Sequence, residues 1–292
     1  MIISSPIFYI IITGSIVISI FSITDYFSYD FLLIPTVFAE RIPDDNGVMM
    51  YNYNGIGAVY NPLMLANAAE GYYKTYENTG DKKSKEYFIN TANWLVNNAK
   101  DKEGGKYSLW EYDFTWPWYT ELTPPYYSGY AQSIGMVVLA LAFTLTNNEI
   151  YLDEANKAFQ SLLVDYNKPG VMTIEGENGD SMFFHELAKP GFQKTFILNG
   201  QTDALLHIWQ YYELTKDPEA KSIFDKGINY LKHNLWKYDT GSWSLYDQTG
   251  NPASKKYHKI HIEDLKALYD ITGEPILKEY ADKFNKYCSN CF

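Results

Sequence analysis

The chain has 292 residues, of which 46% are hydrophobic and 20% are charged, a composition typical of a soluble globular protein with one large domain or two small ones. Its formal net charge of −11 argues against broad binding to nucleic acid or to an anionic membrane surface. The chain is also 17% aromatic, with 27 Tyr, 16 Phe and 7 Trp. This favours either a surface for glycans, because aromatic faces stack on sugar rings, or a helical fold with an aromatic core.

The first forty residues predict an export segment. Residues 7–23 are apolar and uncharged, and these 17 residues are at the short limit for a membrane helix. Extended back to Ile2, the run reaches 22 residues. Lys and Arg are absent before Arg41, so the basic start of a standard signal peptide is missing. We expect residues 1–40 to be a signal peptide or a membrane anchor with a lead-in, and the protein to be secreted or held at the cell surface. A buried core helix is the alternative.

From Tyr60 onward, one pattern recurs four times: an apolar helix, an aromatic residue, a turn that contains Thr, and a second amphipathic helix. The Thr, Asp and Asn residues of the turns favour helix ends, because their side chains bond to free backbone groups. Units of about 60 residues are longer than those of common solenoids. The sequence therefore predicts an all-α fold over residues 41–292. We expect an α/α toroid, an incomplete barrel of repeated helical hairpins with long loops at one end. The turns lie at 76–81, 143–148, 212–217 and 269–274.

Three long inserts between the hairpins, at 102–127, 164–196 and 238–261, are the candidate functional loops. The first contains a cluster of Trp and Tyr that is interpreted either as a sugar platform or as core packing. The second contains Glu186, which can act as a base if an aromatic pocket desolvates it and raises its pKa, or is an ordinary solvated carboxylate. The third is interrupted by turns and has a short strand-like alternation over residues 242–247.

Metal binding is weakly indicated. His258 and His261 are three residues apart, but a third ligand at a suitable spacing is missing, and side chains bonded to the loop backbone are the alternative. The cysteines Cys288 and Cys291 indicate a local disulfide or a frayed tail rather than a redox site. We expect no cofactor.

Six short motifs occur in the order found in the C-terminal domain of D-glucuronyl C5-epimerases, and the chain resembles that family over about residues 60–287. The family has an α/α toroid as its catalytic domain, in agreement with the repeat. The motifs are Trp94-Leu-Val-Asn-Asn with Glu103-Gly-Gly, Tyr127-Ser-Gly-Tyr-Ala-Gln-Ser-Ile, Phe196-Ile-Leu-Asn-Gly, Tyr238-Asp-Thr-Gly-Ser, Tyr246-Asp, and Tyr257-His-Lys-Ile-His-Ile.

The resemblance implies a C5-epimerase that removes the proton α to the carboxylate of a glucuronate residue in a polysaccharide and returns a proton to the opposite face. It also implies that Tyr246, Tyr257 and Glu186 are catalytic. Two positions depart from the family: Leu187 replaces the tyrosine that follows the glutamate, and Thr249 replaces an arginine. We expect nearby His or Lys side chains to substitute for them. The candidate substrate contacts are His185, Lys189, Lys194, Asn199, Asp247, Lys255, Lys256, His258, His261, Trp116, Trp118, Tyr127 and Gln132.

The expected partner is a uronic-acid polysaccharide, and a weakly sulfated one suits an acidic protein. A homodimer and a membrane contact through the N-terminal segment are left open. Three alternatives remain. A polysaccharide lyase abstracts the same C5 proton and then eliminates. An inverting glycoside hydrolase needs two carboxylic acids, here Glu186 with Asp239 or Asp247. A cell-surface glycan-binding protein keeps the cleft without the chemistry.

Overall fold

The computed structural model describes residues 39–176 and 178–288 of the chain, and the predicted export segment and Cys291 lie outside the described residues. Within them, helices pair into four consecutive hairpins, which confirms the predicted α/α toroid. The helices are α1 (Pro62–Thr79), α2 (Lys82–Asn98), α3 (Gly129–Thr146), α4 (Glu149–Ser161), α5 (Leu198–Thr215), α6 (Pro218–Asn234), α7 (Lys255–Thr272) and α8 (Pro275–Tyr287).

Short strands, which the sequence patterns did not predict, lie before and between the hairpins. The all-α fold predicted over residues 41–292 did not include a sheet before α1, but the segment there forms an antiparallel sheet of β1 (Ala39–Pro43), β2 (Met49–Tyr53) and β3 (Gly57–Val59). Two antiparallel β-hairpins occur inside the predicted functional loops. They are formed by β4 (Lys100–Lys102) with β5 (Tyr107–Leu109) and by β6 (Met172–Glu175) with β7 (Ser181–Phe184).

The odd-numbered helices form the inner layer of the toroid. Helices α1, α3, α5 and α7 contact one another in that order, and each also packs against the outer helix that follows it. Helix α3 is almost entirely buried. By length and composition it would also suit a membrane span, but 78% of its apolar window is buried inside the protein, as in the core helix of a folded domain.

The four predicted turns share one geometry. In each, the hydroxyl of the helix-ending Thr donates to the carbonyl four residues earlier and accepts from the N–H two residues later. The next residue is left-handed, and its N–H bonds to the carbonyl of the aromatic residue. The residues in this left-handed position are Gly80, Asn147, Lys216 and Gly273.

Because every inner helix is followed by a short turn and an antiparallel outer helix, the four inner helices run in the same direction. Their N-terminal ends therefore lie together at one end of the toroid, where the three long loops also lie. We call this the cleft end.

Two glutamines on the inner helices hold the β-hairpins of the loops. Gln132 of α3 accepts a hydrogen bond from the N–H of Trp110 at 2.9 Å and donates to the carbonyl of Ser108 at 3.0 Å. Ser108 lies within β5, and Trp110 directly follows it. Gln201 of α5 makes the equivalent pair of bonds to the Phe184 N–H and the Met182 carbonyl of β7. We call these two arrangements the glutamine clasps. Gln132, which we expected in the cleft, therefore lies in the core.

Candidate functional site

Aromatic and aliphatic side chains from β2 and from all three long loops form a second hydrophobic cluster at the cleft end, distinct from the core between the helices. The rings of Trp116 and Trp118 lie on its partly exposed side, with centroids 5.1 Å apart. An exposed aromatic surface of this kind can stack on a sugar ring. The cluster includes Tyr51, Tyr53, Tyr112, Phe114, Leu122, Tyr126, Leu187, Ile197, Tyr119 and Tyr246.

Tyr246 and Tyr257 lie side by side in the cleft, with ring centroids 4.8 Å apart. The backbone brings them together: the Tyr246 carbonyl accepts from the N–H of Leu198 at 2.9 Å, which docks the third loop onto the start of α5. Tyr257 lies in the first turn of α7. Burial raises the pKa of both phenols, and the nearby carboxylate of Glu186 raises both pKa values further. Both tyrosines therefore keep their protons at neutral pH.

Glu186 follows β7 and packs against the first turn of α5. A Cβ atom at Gly200 would lie 2.8 Å from both Cβ and Oε2 of Glu186, so the glutamate fits only because that helix position is glycine. Oε2 is buried and has no hydrogen-bond partner among the described residues. Burial raises the pKa of Glu186 to about 8, with a further contribution from Asp203. This carboxyl group can therefore take up or release a proton near neutral pH.

The sequence patterns missed Asp203, which lies on α5 one turn after Asn199 and Gly200. Burial raises its pKa well above the usual value, the charge of Asp264 raises it further, and hydrogen bonds from Tyr130 and Asn199 act in the opposite direction. One sequence signal could have identified Asp203. It is an acidic residue on the largely buried helix α5, and it closely follows the Phe196-Ile-Leu-Asn-Gly motif.

Positive charge reaches the cleft from α7. Lys256 is half-buried in the first turn of that helix. Burial lowers its pKa, Arg41 lowers it further, and Asp203 raises it. Among the basic residues expected to substitute for the missing arginine, Lys256 fits best, because its charge acts on Asp203 in the wall of the cleft.

The two departures from the family pattern have structural roles. Leu187 is 5% exposed and belongs to the hydrophobic cluster at the cleft end. Thr249 donates hydrogen bonds to the Asp247 carboxylate from its N–H at 2.9 Å and from its hydroxyl at 2.7 Å. Asn251 bonds to the same carboxylate, so Asp247 holds the 247–251 turn from a fully buried position.

The histidines expected as substrate contacts lie in the core. Nε2 of His185 bonds to the Thr173 hydroxyl at 2.8 Å, and burial lowers the pKa of His185 to about 3. His258 accepts at Nδ1 from the N–H of Ser244, while its Nε2 bonds to the Phe284 carbonyl. The hydroxyl of Ser244 lies within hydrogen-bond distance of Nδ1 of both His258 and His261, at 2.7 and 2.9 Å. All three rings are at most 1% exposed, so they stabilise the loops rather than line the cleft.

The remaining expected contacts join loops to one another or lie on the surface. Tyr127 is buried and pairs through its backbone with Ala188, which ties the first loop to the second. Lys189 donates to the Thr123 carbonyl at 2.6 Å. Lys194 lies 5.3 Å above the ring of Tyr166, and Lys255 is exposed at the start of α7. Of the expected set, Asn199 and Lys256 lie beside the three catalytic candidates. Within residues 39–176 and 178–288, no group of three His, Cys, Asp or Glu side chains is arranged to hold a metal ion.

The model of the family described as D-glucuronyl C5-epimerase C-terminus matches residues 102–286. An uncharacterised protein of Methanocaldococcus jannaschii is 29% identical over 202 residues, which are 69% of this chain and 64% of that protein. The D-glucuronyl C5-epimerase of Caenorhabditis elegans is 29% identical over 223 residues, or 68% of this chain and 34% of that enzyme. The chain thus spans less than two thirds of either relative.

Among solved structures, the unsaturated glucuronyl hydrolase of Streptococcus agalactiae is similar in fold, with a TM-score of 0.52 and 15% identity over 77% of this chain and 56% of that one.

Proposed function

Because this chain belongs to the family of the D-glucuronyl C5-epimerase C-terminus, we propose that it epimerises glucuronate residues at C5 within a polysaccharide. The observation that carries the proposal is the meeting of Glu186, Tyr246 and Tyr257 in one aromatic cleft, at positions equivalent to active-site residues of the family. The C. elegans epimerase supports the same substrate class.

The chemistry needs a base on one face of the sugar, an acid on the other, and compensation of the carboxylate charge in the enolate-like intermediate. Glu186 is suited to the role of base, because its pKa of about 8 lies near neutrality. A tyrosine hydroxyl is suited to deliver a proton to the opposite face, because Tyr246 and Tyr257 are both protonated at neutral pH. Lys256 provides positive charge for the substrate carboxylate.

The test is C5 deuterium exchange in a non-sulfated glucuronate polymer incubated with the protein in deuterated water. A non-sulfated polymer is chosen because the protein has a net charge of −11. We expect deuterium at C5 and the appearance of iduronate, both detected by NMR. Absence of exchange across a panel of uronic-acid polymers would overturn the proposal. A product that absorbs ultraviolet light would instead identify a lyase, because elimination creates a double bond.

A glycan-binding protein without catalysis is the second candidate, and the departures at Leu187 and Thr249 favour it. Leu187 supplies no hydroxyl to the cleft, and Thr249 is engaged with Asp247. Saturable binding of a uronate oligosaccharide, with neither exchange nor cleavage, would establish this candidate over the epimerase.

The hydrolase alternative is less well supported. It requires Asp239 or Asp247 as a second free carboxylic acid. Asp239 instead pairs with Lys283 and accepts from Tyr287, both of α8. Asp247 is fully buried and holds its own turn.

A further inference from the structure

Two carboxyl groups are close together in the wall of the cleft. Oε2 of Glu186 occupies the space beside Gly200, 2.8 Å from where a Cβ atom would be. Asp203 is three residues further along α5, and helix residues at that spacing face the same side with their Cβ atoms about 5–6 Å apart. The carboxyl groups of Glu186 and Asp203 are therefore neighbours, although they are distant in sequence.

The surroundings of the pair are polar but incompletely satisfied by protein groups. Oε2 of Glu186 has no hydrogen-bond partner among the described residues, and neither has Oδ1 of Asn199 nor Nδ1 of His207. Asn199 and His207 are 4% and 8% exposed, and they lie four residues before and after Asp203 on the same helix. Buried polar atoms of this kind are normally paired with protein or water, so we expect ordered water to satisfy them on this side of α5.

Glu186 and Asp203 are half-buried as residues, and Oε2 of Glu186 is shielded from water. Two neighbouring carboxylates in such surroundings cannot both be ionised without strong repulsion, and such pairs typically hold one proton between them. Burial raises the pKa of both groups. The charge of Asp203 raises the pKa of Glu186 further, and the charges of Asp264 and Glu70 raise that of Asp203 further. Glu186 is faced by Tyr112, Tyr119, Tyr246 and Tyr257. Asp203 is faced by Glu70, Tyr130, Lys256 and Asp264.

We propose that Glu186 and Asp203 hold one proton between them at neutral pH, and that Asp203 is a positioning residue that sets the charge of Glu186. With the proton on Asp203, Glu186 is the carboxylate that the epimerase needs as its base. This role rests on the proposed function, whereas the shared proton itself does not.

The proton balance of a turnover follows directly. Glu186 accepts the C5 proton, the electron pair of the broken C5–H bond passes into the enolate of the substrate, and Asp203 keeps its proton. A tyrosine hydroxyl then protonates the opposite face of C5, which leaves a tyrosinate. The proton on Glu186 returns to this tyrosinate, so the enzyme ends as it began.

Carboxyl carbon NMR of protein labelled at the Glu and Asp side chains tests the shared proton directly. Spectra of Glu186→Gln and Asp203→Asn identify the two signals. In the unmodified protein, the Glu186 signal should titrate in two steps, as coupled groups do. In Asp203→Asn it should titrate in one step that lies below the upper step of the pair. Asp203→Glu should restore two steps, and Asp225→Asn, an exposed change on α6, should leave them unaltered.

Activity provides the second measurement. At alkaline pH both carboxylates are ionised, and the second negative charge in the wall of the cleft repels the carboxylate of the substrate. The rate of C5 exchange at low substrate concentration should therefore decline there, and Asp203→Asn should remove this decline. Tyr130→Phe removes a hydrogen bond that favours ionised Asp203, so it should move the decline to higher pH and remains informative if Asp203→Asn does not fold.

The outcomes separate the two proposals. Identical titration of Glu186 with and without Asp203 overturns the shared proton, even when C5 exchange is found. Absence of C5 exchange overturns the proposed function, and the two-step titration still decides whether the proton is shared.

Discussion

At the scale of single residues, the raised pKa of Glu186 depends on the absence of a side chain at Gly200. The missing Cβ leaves room for the carboxyl group against α5, where burial raises its pKa to about 8. Sequence motifs identified Glu186, Tyr246 and Tyr257, because the family pattern marks them locally. They did not identify Asp203, because its closeness to Glu186 arises only when the second loop folds onto α5.

The tyrosine pair provides the first prediction. Tyr246→Phe and Tyr257→Phe each remove one hydroxyl and keep the ring contact of 4.8 Å, so packing should be preserved. We expect C5 exchange to fall at least 100-fold for a tyrosine that donates the proton, because acid–base groups typically contribute about 10²–10⁴-fold to the rate. The measurement is the initial rate of C5 exchange by each variant, under conditions in which the variant is as fully folded as the unmodified protein. Normal rates in both variants would remove the tyrosines from the mechanism.

Gly200→Ala provides the second prediction. The new methyl group would overlap Glu186, so we expect the rate of exchange to fall about tenfold or more as the carboxylate is displaced. Stability should change little, because alanine favours a helix over glycine by about 1 kcal/mol, and this offsets part of the strain.

Gly71→Ala is the matched control, since a Cβ atom there meets nothing within 4 Å and the residue lies inside α1. It should stabilise the protein by about 0.5–1 kcal/mol in urea unfolding and leave exchange unaltered. Equal rates in Gly200→Ala and Gly71→Ala would contradict the close fit of Glu186.

At the scale of elements, the four turns were predictable because all of their signals are local. In all four turns a Thr and a left-handed residue end the inner helix and satisfy backbone groups next to them. In the first three turns the side chain of Asp81, Asn148 or Asp217 then caps the outer helix. The sheet of β1–β3 and the two β-hairpins were not predictable in this way. Their strands have three to five residues, too few for an alternating pattern to be distinguished from a loop.

The left-handed positions of the turns also predict that introducing a glycine at one of them and removing a glycine at another change stability in opposite directions. Lys216 has φ of 58°, which is costly for a residue with a side chain, whereas Gly273 has φ of 68° without such a cost. We expect Lys216→Gly to stabilise the protein by about 0.5–1 kcal/mol and Gly273→Ala to destabilise it by about 1 kcal/mol.

The cost in Gly273→Ala would come from the backbone alone, since a Cβ atom there meets nothing within 4 Å. Urea unfolding measures both changes. Effects of the same sign at the two positions would show that the turns are not equivalent.

At the scale of the whole molecule, the sequence predicted the toroid because four repeats constrain it together. The placement of polar residues inside it was harder to predict. His258 and His261 were expected in the cleft because they follow Tyr257 in the sequence, but α7 directs them to Ser244 and the core. One turn of a helix separates the cleft from the core, and the sequence alone does not show where that boundary lies.

The buried acids predict how global stability depends on pH. Burial raises the pKa of Glu186 to about 8 and that of Asp264 to about 7, above their values of about 4 in an unfolded chain. The folded state therefore binds more protons than the unfolded state, and stability is lost as pH rises through these folded values. The buried histidines, whose folded pKa values are lowered, oppose this trend, because each of them still binds about half a proton in the unfolded chain at pH 6.5. Each contributes about 0.4 kcal/mol in the opposite direction between pH 6.5 and 8.5, which is less than either carboxyl group.

We expect the free energy of unfolding to fall by about 1–2 kcal/mol for each of these carboxyl groups between pH 6.5 and 8.5. Urea unfolding across that range measures it. Glu186→Gln should reduce the slope, and Glu279→Gln, an exposed change, should not. Stability that is constant or rises over this interval would contradict the raised pKa values.

The glutamine clasps also complete the β-hairpins of the loops. A two-stranded hairpin has an open edge, whose free N–H and carbonyl groups can template a strand from another chain. In β5 and β7 the side-chain amides of Gln132 and Gln201 take the place of such a strand, because each amide offers one donor and one acceptor at the spacing of the backbone. Both strands are buried in the folded protein, so each clasp satisfies backbone groups that water does not reach. Loss of either glutamine would leave a buried N–H and a buried carbonyl unpaired, and the corresponding loop would lose its register on the inner helix.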